Sequence, residues 1–462
     1  MCDAHGGSHD HDAGAVERTA RGLPIATVDL LSAARQITAQ EEIRCHHVGF
    51  VGYGNTKPGD RVLLAVDNHY DQAVVEAFSE SLRERGASVD VLTVDAGPDR
   101  PFTYLDEIRV VMRRGPWKDA PRRWEGIPWI EQMAEDRGYD LLVHGKGGPI
   151  PATSYRYEQI PWQLAEQLAS PAATYPLALH QLINRKTWDV IWKHGRGGRV
   201  RITDPEGTDF SYSLHEAYYD ESRRGFTENP VRSYSHLLGH PPPPFVEEED
   251  AEGVCMGTTS HYTRAFPSVK VRLERGQITH IEGGAGYGDA WGEYIDEAKG
   301  IQYPCFPRPG LFYIWEVAIG TNPKIARPSG IEYLSSGGFE WERRRSGVIH
   351  LGFGTRWRGP EEVWAGERGL VYGHLHIHLL FPTFAVTSKD GETRNIIENG
   401  RLTALDDPEV RDLASQYGDP DQLLAEDWIP QIPGVTLPGR YRDFAADPTP
   451  WIYGSGGVPA GR

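Results

Sequence analysis

Toward the C-terminus, the run Tyr372-Gly373-His374-Leu375-His376-Ile377-His378-Leu379-Leu380-Phe381 sets three histidines at alternate positions between apolar residues. Side chains of an extended chain alternate faces, so the three imidazoles share one side while Leu375, Ile377 and Leu379 take the other. That spacing suits a metal site. Neighbouring imidazoles start about 7 Å apart at the backbone, close enough to converge on one ion, and the outer pair about twice as far. Two of the three are expected to bind together, and the third to serve a substrate or a neighbouring strand. A hydrogen-bonded or solvated histidine ladder on a half-exposed sheet is the alternative.

Two further strand-like segments offer donors. In Trp315-Glu316-Val317-Ala318-Ile319-Gly320-Thr321-Asn322-Pro323 a single carboxylate lies in an apolar run. A buried carboxylate must be paired or bound to a cation, because an isolated buried charge is very costly. In Gly347-Val348-Ile349-His350-Leu351-Gly352-Phe353-Gly354 one imidazole stands among apolar residues and glycines. Each has an ordinary reading alone: Glu316 paired with a nearby arginine, His350 a satisfied core histidine. Together with His376 and His378 they form a mixed imidazole and carboxylate set.

The elements that must hold these residues follow from periodicity. A helix is expected around Leu30 to Ala39, a buried strand at Val62 to Asp67, a helix from Ala73 to Arg85 ending at Gly86, and a strand at Val89 to Val94. Strand, helix, strand in about 35 residues predicts a right-handed βαβ unit with a parallel sheet. Asp140 to Gly145 is a further strand. It precedes a Gly-Lys-Gly-Gly-Pro turn around Lys146 that lacks the Walker spacing. Beyond residue 198 the texture becomes alternating. Arg199 to Asp204 and Asp209 to Leu214 flank Pro205-Glu206-Gly207-Thr208 as a hairpin, and strands follow at Val269 to Leu273, Ile278 to Ile281, Leu311 to Ile319, Gly347 to Gly352 and Tyr372 to Phe381. Pro241 to Pro244 and the acidic run Glu247 to Asp250 form a covering loop. The fold class is thus an α/β N-terminal domain with a parallel sheet plus a β-rich (α+β) C-terminal metal-binding domain. Its expected parts are a flexible arm over 1–24, an α/β domain over 25–198, a metal-binding domain over 199–405 and an extension over 406–462.

With 462 residues the chain is long enough for more than one core. The net charge of −17 argues against nucleic acid, which needs a basic face to displace counterions. The clusters Arg122-Arg123 and Arg343-Arg344-Arg345 read as solvated surface. No stretch approaches the roughly 20 apolar residues that span a bilayer, so no membrane partner is expected, and a cytoplasmic location follows. Cys2, Cys45, Cys255 and Cys305 lack a paired spacing, which suits a reducing compartment. His5, His9 and His11 lie in the N-terminal arm.

The order Glu-Val-Ala-Ile-Gly-Thr-Asn-Pro, Gly-Val-Ile-His-Leu-Gly-Phe-Gly, then His-Ile-His-Leu-Leu-Phe-Pro-Thr-Phe resembles the C-terminal domain of the aminopeptidase T-like metallopeptidase superfamily. The resemblance extends to Arg199-Val-Arg-Ile-Thr-Asp-Pro-Glu-Gly-Thr-Asp209, the Val62 strand and Asn399-Gly400-Arg401, and it covers about residues 25 to 405. It implies a two-domain subunit, a homodimer, and a metal site in the C-terminal domain held by Glu316, His350 and His376. The chain departs from the pattern where a His-x-Asp ligand pair is replaced by His376-Ile377-His378. It departs again where an earlier ligand glutamate is matched by Leu238-Gly239-His240-Pro241-Pro242, and where Trp357 replaces a tyrosine.

A two-metal peptidase site needs carboxylates to bridge its ions. The departures therefore bring the chain closer to the superfamily's 2,5-dihydroxypyridine 5,6-dioxygenase-like branch, which uses one Fe(II). The implied function is a mononuclear non-haem dioxygenase that opens a hydroxylated aromatic or pyridine ring, taking dioxygen and a small molecule. Glu316, His376 and His378 would hold iron with His350 as a fourth ligand or substrate contact, and Trp315, Phe353 and Trp357 would sandwich the ring. His374 or His240 would take a phenolic proton. The alternative is an aminopeptidase or amide hydrolase holding zinc or another divalent transition metal.

Overall fold

The computed structural model describes residues 30–40, 53–95, 100–116, 127–144, 154–219, 236–238, 247–328, 330–334, 342–356 and 359–453. The N-terminal arm, Arg122-Arg123, Lys146, His240, Pro241 to Pro244 and Trp357 lie outside them.

The first strands are β1 (Arg61–Asp67), β2 (Ser88–Val94), β3 (Met112–Arg114), β4 (Leu141–His144) and β5 (Arg156–Gln159). Four of them form a parallel sheet in the order β2-β1-β4-β5. Its central strand is apolar without alternation because both faces are covered. Val62, Leu64 and Val66 meet Phe78 of the helix Gln72–Glu84, while Leu63 and Ala65 meet Ile130 and Tyr139 on the other side.

The next group is β6 (Arg199–Thr203), β7 (Asp209–Ser213), β8 (His236–Leu238), β9 (Glu252–Thr259), β10 (Ala265–Glu274) and β11 (Gln277–Gly283). The last is β12 (Ile314–Gly320), β13 (Ile349–Gly354), β14 (Val371–Leu379), β15 (Thr383–Thr387), β16 (Thr393–Glu398) and β17 (Arg401–Leu402). They build two antiparallel sheets, one ordered β11-β10-β9-β7-β6-β15-β16-β17 and the other β3-β14-β13-β12-β8. The fold is therefore mixed α/β, with a parallel sheet first and antiparallel sheets after.

The two antiparallel sheets approach closely where β9 crosses β14. A Cβ on Gly257 would stand 2.4 Å from Cγ2 of Ile377, so only glycine admits this contact. Ile377 and its neighbours Leu375 and Leu379 are fully buried in the large core between the sheets, which leaves the histidine face of β14 turned the other way. Two segments that precede residue 198 also pack into this core: the helix Tyr104–Val111 leading into β3, and the helix Leu177–Asp189. After β17, Ile429, Ile432, Val435 and Phe444 close over Val348, Leu380 and Phe381.

Arg343, Arg344 and Arg345, expected at the surface, are buried. Arg345 donates from Nε to the Trp428 carbonyl at 2.7 Å and from Nη2 to Glu426 Oε1 at 3.1 Å. A guanidinium tolerates burial where carbonyls and carboxylates take its N–H groups, and these partners lie some 80 residues away in sequence. Among the described residues no helix is long and apolar enough to cross a membrane.

Candidate metal centre

Strand register assembles the centre. Across β12, β13 and β14, Glu316 stands opposite Gly352, which stands opposite His376; in the next row lie Ala318, His350 and His378, and Gly354 faces His374. Residues two apart share a face, so one side of three adjacent strands carries Glu316, His350, His374, His376 and His378 separated by Ala318, Gly352 and Gly354. The small residues supply the space. A Cβ on Gly352 would meet His376 Nε2 at 2.9 Å and Glu316 Oε2 at 3.1 Å.

Glu316 Oε2 lies 3.4 Å from His376 Nε2 and 3.4 Å from His350 Nε2. Two donors each about 2.1 Å from one ion, at a tetrahedral angle, stand about 3.4 Å apart. The spacing fits a shared cation. The imidazoles are in the form a metal needs, because burial pushes His350 and His376 well below the ordinary histidine range and keeps them neutral. His376 Nδ1 is buried and meets no partner among the described residues.

A third imidazole reaches the same centre from outside the sheet. His261 sits on the turn between β9 and β10, and one nitrogen each of His261, His350 and His376 lie within 4.8 Å of one another. The His261 ring stacks on that of His376, with centroids 4.1 Å apart. Its turn is fixed at several points. Ser260 N donates to the Arg264 carbonyl at 3.0 Å, Tyr262 N to Glu107 Oε2 at 3.1 Å, and the Ser260 hydroxyl to the same carboxylate. Burial pushes the Glu107 carboxyl up to about 7 against these donors and Arg264. Arg264 anchors the far side of the turn on the carbonyls of Ile331 at 2.7 Å and Leu334 at 2.5 Å.

His378 stands behind His350 in this arrangement. Its Nε2 lies 2.8 Å from His350 Nδ1, and its Nδ1 lies 2.8 Å from Glu342 Oε1, so both ring nitrogens are engaged. Glu342 is paired through its other oxygen with Arg327. Arg343 Nη1 comes within 3.2 Å of His350 Nε2.

His374 shares the histidine face, its ring 4.8 Å from that of His376, and its Nδ1 donates to the Thr355 carbonyl at 3.2 Å. Burial holds it down at about 4. Trp315 lies beside it at 5.3 Å, with an indole N–H that is buried and finds no acceptor among the described residues. Phe353 is not brought to this face. It points with Leu351 into the core and packs 5.7 Å from Trp291, because its odd register position on β13 opposes that of His350. The expected roles of His240 and Trp357 fall outside the described residues.

His261, Glu342 and Arg343 lie at the centre without any signal in the strand periodicity. His261 occurs once in Thr259-Ser260-His261-Tyr262-Thr263-Arg264, where no period links it to the strand histidines. Glu342 and Arg343 sit in a charged run that looks like surface by composition.

No protein-family model matches the chain, and no curated protein matches it. Among solved structures the chain is similar to 2,5-dihydroxypyridine dioxygenase from Pseudomonas putida KT2440, at 14% identity and a TM-score of 0.47, over 82% of this chain and 98% of that one. It is also similar to wild-type AmpT from Thermus thermophilus, at 16% identity and a TM-score of 0.46, over 81% of this chain and 98% of that one.

Proposed function

We propose that the chain is a mononuclear metal-dependent enzyme, an Fe(II)-dependent dioxygenase that opens a hydroxylated aromatic or pyridine ring. The observation that carries the reading is the donor set. Neutral imidazoles of His261, His350 and His376 and the single carboxylate of Glu316 converge, and the described residues bring no second carboxylate to bridge a second ion. Fe(II), when bound, supplies the electrons that activate dioxygen and open positions for substrate oxygens.

The chain's own residues account for the rest. His374 has its Nδ1–H committed to Thr355, so in the neutral ring its Nε2 holds the lone pair and serves as the base for a substrate hydroxyl. The buried Trp315 indole donates to a substrate oxygen, and its ring flanks the substrate ring. Arg343 sets a buried positive charge beside the centre, which favours a substrate that binds as an anion after losing its hydroxyl proton. Both atoms of dioxygen enter the ring-opened product, and the reaction draws on no further reductant.

A second reading has one observation in its favour. Three histidines with an open position are also a zinc set, so a metal-dependent hydrolase acting on a peptide or amide shares the same donors. Metal analysis of anaerobically purified protein, followed by oxygen uptake on catechol and hydroxypyridine substrates and by dipeptide cleavage, separates the two. One iron per chain with stoichiometric oxygen uptake is the expected result. Zinc with dipeptide cleavage and no oxygen uptake would establish the hydrolase, and a chain that binds neither ion would end both readings.

A further inference from the structure

His261 is the one member of the converging set that no strand ladder holds. Glu316, His350 and His376 are fixed by the hydrogen bonds of β12, β13 and β14, whereas His261 rides on the turn between β9 and β10. That turn contains Thr263 at φ 57°, a left-handed conformation that a β-branched residue rarely adopts. A turn of this kind keeps its shape only where its surroundings over-determine it.

The C-terminal segment 441–453 grips the turn on both sides. At the start of β10, Ala265 N donates to the Tyr453 hydroxyl at 2.9 Å. Near the end of β9, the Thr258 hydroxyl donates to Glu206 Oε2 at 3.3 Å, and the same buried carboxylate oxygen accepts from the Tyr441 hydroxyl at 2.8 Å. The segment is also tied to the sheet that carries the other donors. Arg327 donates from Nη1 to the Ile452 carbonyl at 3.0 Å and pairs through Nη2 with Glu342, whose Oε1 lies 2.8 Å from His378 Nδ1 on β14. Phe444 packs over Val348 and Leu380, which flank β13 and β14. One short stretch of chain therefore spans from the turn of His261 to the strands of His350 and His376, and it sets the spacing between them.

We propose that Tyr441 and Tyr453 are positioning residues for His261: their hydroxyls hold the two sides of its turn, so that its imidazole reaches the metal centre only while the segment 441–453 is seated. The inference rests on the metal reading for its consequence, but the placement of His261 against His376 belongs to the metal-free protein as well. The coupling is reciprocal, since a segment that favours a donor is itself held more firmly once an ion uses that donor.

The test uses the full chain. The double variant Tyr441→Phe with Tyr453→Phe keeps both rings and removes only the hydroxyls, and His261→Gln supplies the signature of a centre without this donor. Loaded with Co(II), the double variant is expected to bind about 10–100-fold more weakly than wild type and to give the visible spectrum of His261→Gln. A merely structural role would lower the urea midpoint and leave the spectrum of the wild type. Without metal, the His261 ring protons, assigned by their loss in His261→Gln, are expected to carry in wild type the ring-current shift of a ring stacked 4.1 Å from that of His376, and to lose it in the double variant. In wild type, hydrogen exchange of the Ala265 amide slows when Co(II) binds, and in His261→Gln it does not.

A folded double variant with either the wild-type Co(II) spectrum or the wild-type His261 ring shift overturns the proposal. Whether or not any variant folds, a wild-type His261 ring without the stacking shift overturns it, as does an Ala265 amide that exchanges equally fast with and without bound Co(II). If the ring shift is present in wild type and lost in the double variant but wild type binds no Co(II), the placement holds and the metal reading is what fails.

Discussion

Gly352 and His376 face each other across β13 and β14, and the Cβ that Gly352 lacks would stand 2.9 Å from His376 Nε2. The same missing atom would lie 3.0 Å from Glu316 Cβ. The glycine is thus the gap through which a carboxylate and an imidazole from strands on either side of β13 reach each other. Gly352→Ala is expected to fold, since Gly352 is not among the glycines of positive φ, and to weaken metal affinity about 10–100-fold by displacing both donors. Calorimetric titration of zinc into the variant checks this. Undiminished affinity would mean that Glu316 and His376 do not share an ion.

Arg343 competes with any cation at the centre, since it donates to the lone pair that would coordinate. Burial pushes its guanidinium down to about 9, a sign that its charge is poorly solvated there. Arg343→Gln removes a positive charge beside an incoming dication and frees His350 Nε2. Tighter zinc binding than wild type is expected, about tenfold or more, together with a higher KM for an anionic substrate. Weaker zinc binding in a folded variant would show that Arg343 supports the site rather than guards it.

The role proposed for His374 is proton transfer rather than metal retention. Its Nδ1 is held by the Thr355 carbonyl at 3.2 Å, and the triad of converging nitrogens comes from His261, His350 and His376. His374→Ala should keep its metal content nearly unchanged while kcat falls about 10²–10⁴-fold, the usual contribution of a positioned general base. Loss of metal on purification of this variant would move His374 into the ligand set.

Much of the centre was legible because strand periodicity is simple. The alternation in Tyr372 to Phe381 fixes which residues of β14 share a face, and the glycines around His350 mark the open row beside it. Phe353 was misplaced by the same rule read too loosely, since its position has the parity of Leu351 and not of His350. His261 could not be found this way, because a turn residue reaches the centre by the path of the chain and not by a period. Arg343 to Arg345 were misread for a related reason. Arg345 donates to Glu426 and the Trp428 carbonyl, and burial of a guanidinium is decided by such distant partners rather than by the local run of charge. The parallel sheet was legible since an unbroken apolar strand next to an amphipathic helix has few other uses.

The buried imidazoles also set the response to pH. His374 is held at about 4 and His180 at about 3, while His261, His350, His376 and His378 lie well below the ordinary range, all chiefly by burial. The unfolded chain takes up protons at these positions near pH 6.5 and the folded chain does not. Stability is therefore fully present above about 6.5 and falls as the pH drops, by up to about 1.4 kcal/mol per pH unit for each such imidazole. Glu107, pushed up to about 7, and the raised Asp204 and Glu206 act in the opposite sense, because the folded form holds protons that the unfolded carboxyls release. The six depressed imidazoles outnumber these three carboxyls together with the raised His215 and Asp427, which leaves a net loss below pH 6.5. The urea midpoint of the metal-free protein should drop steadily between about pH 6.5 and about pH 5. Saturating zinc should raise that midpoint at neutral pH, with almost no proton release on binding when titrations in buffers of different ionisation enthalpy are compared, because the ligands are already neutral. A midpoint that rises on acidification, or release of several protons per zinc at pH 7, would show that these imidazoles are charged in the folded protein.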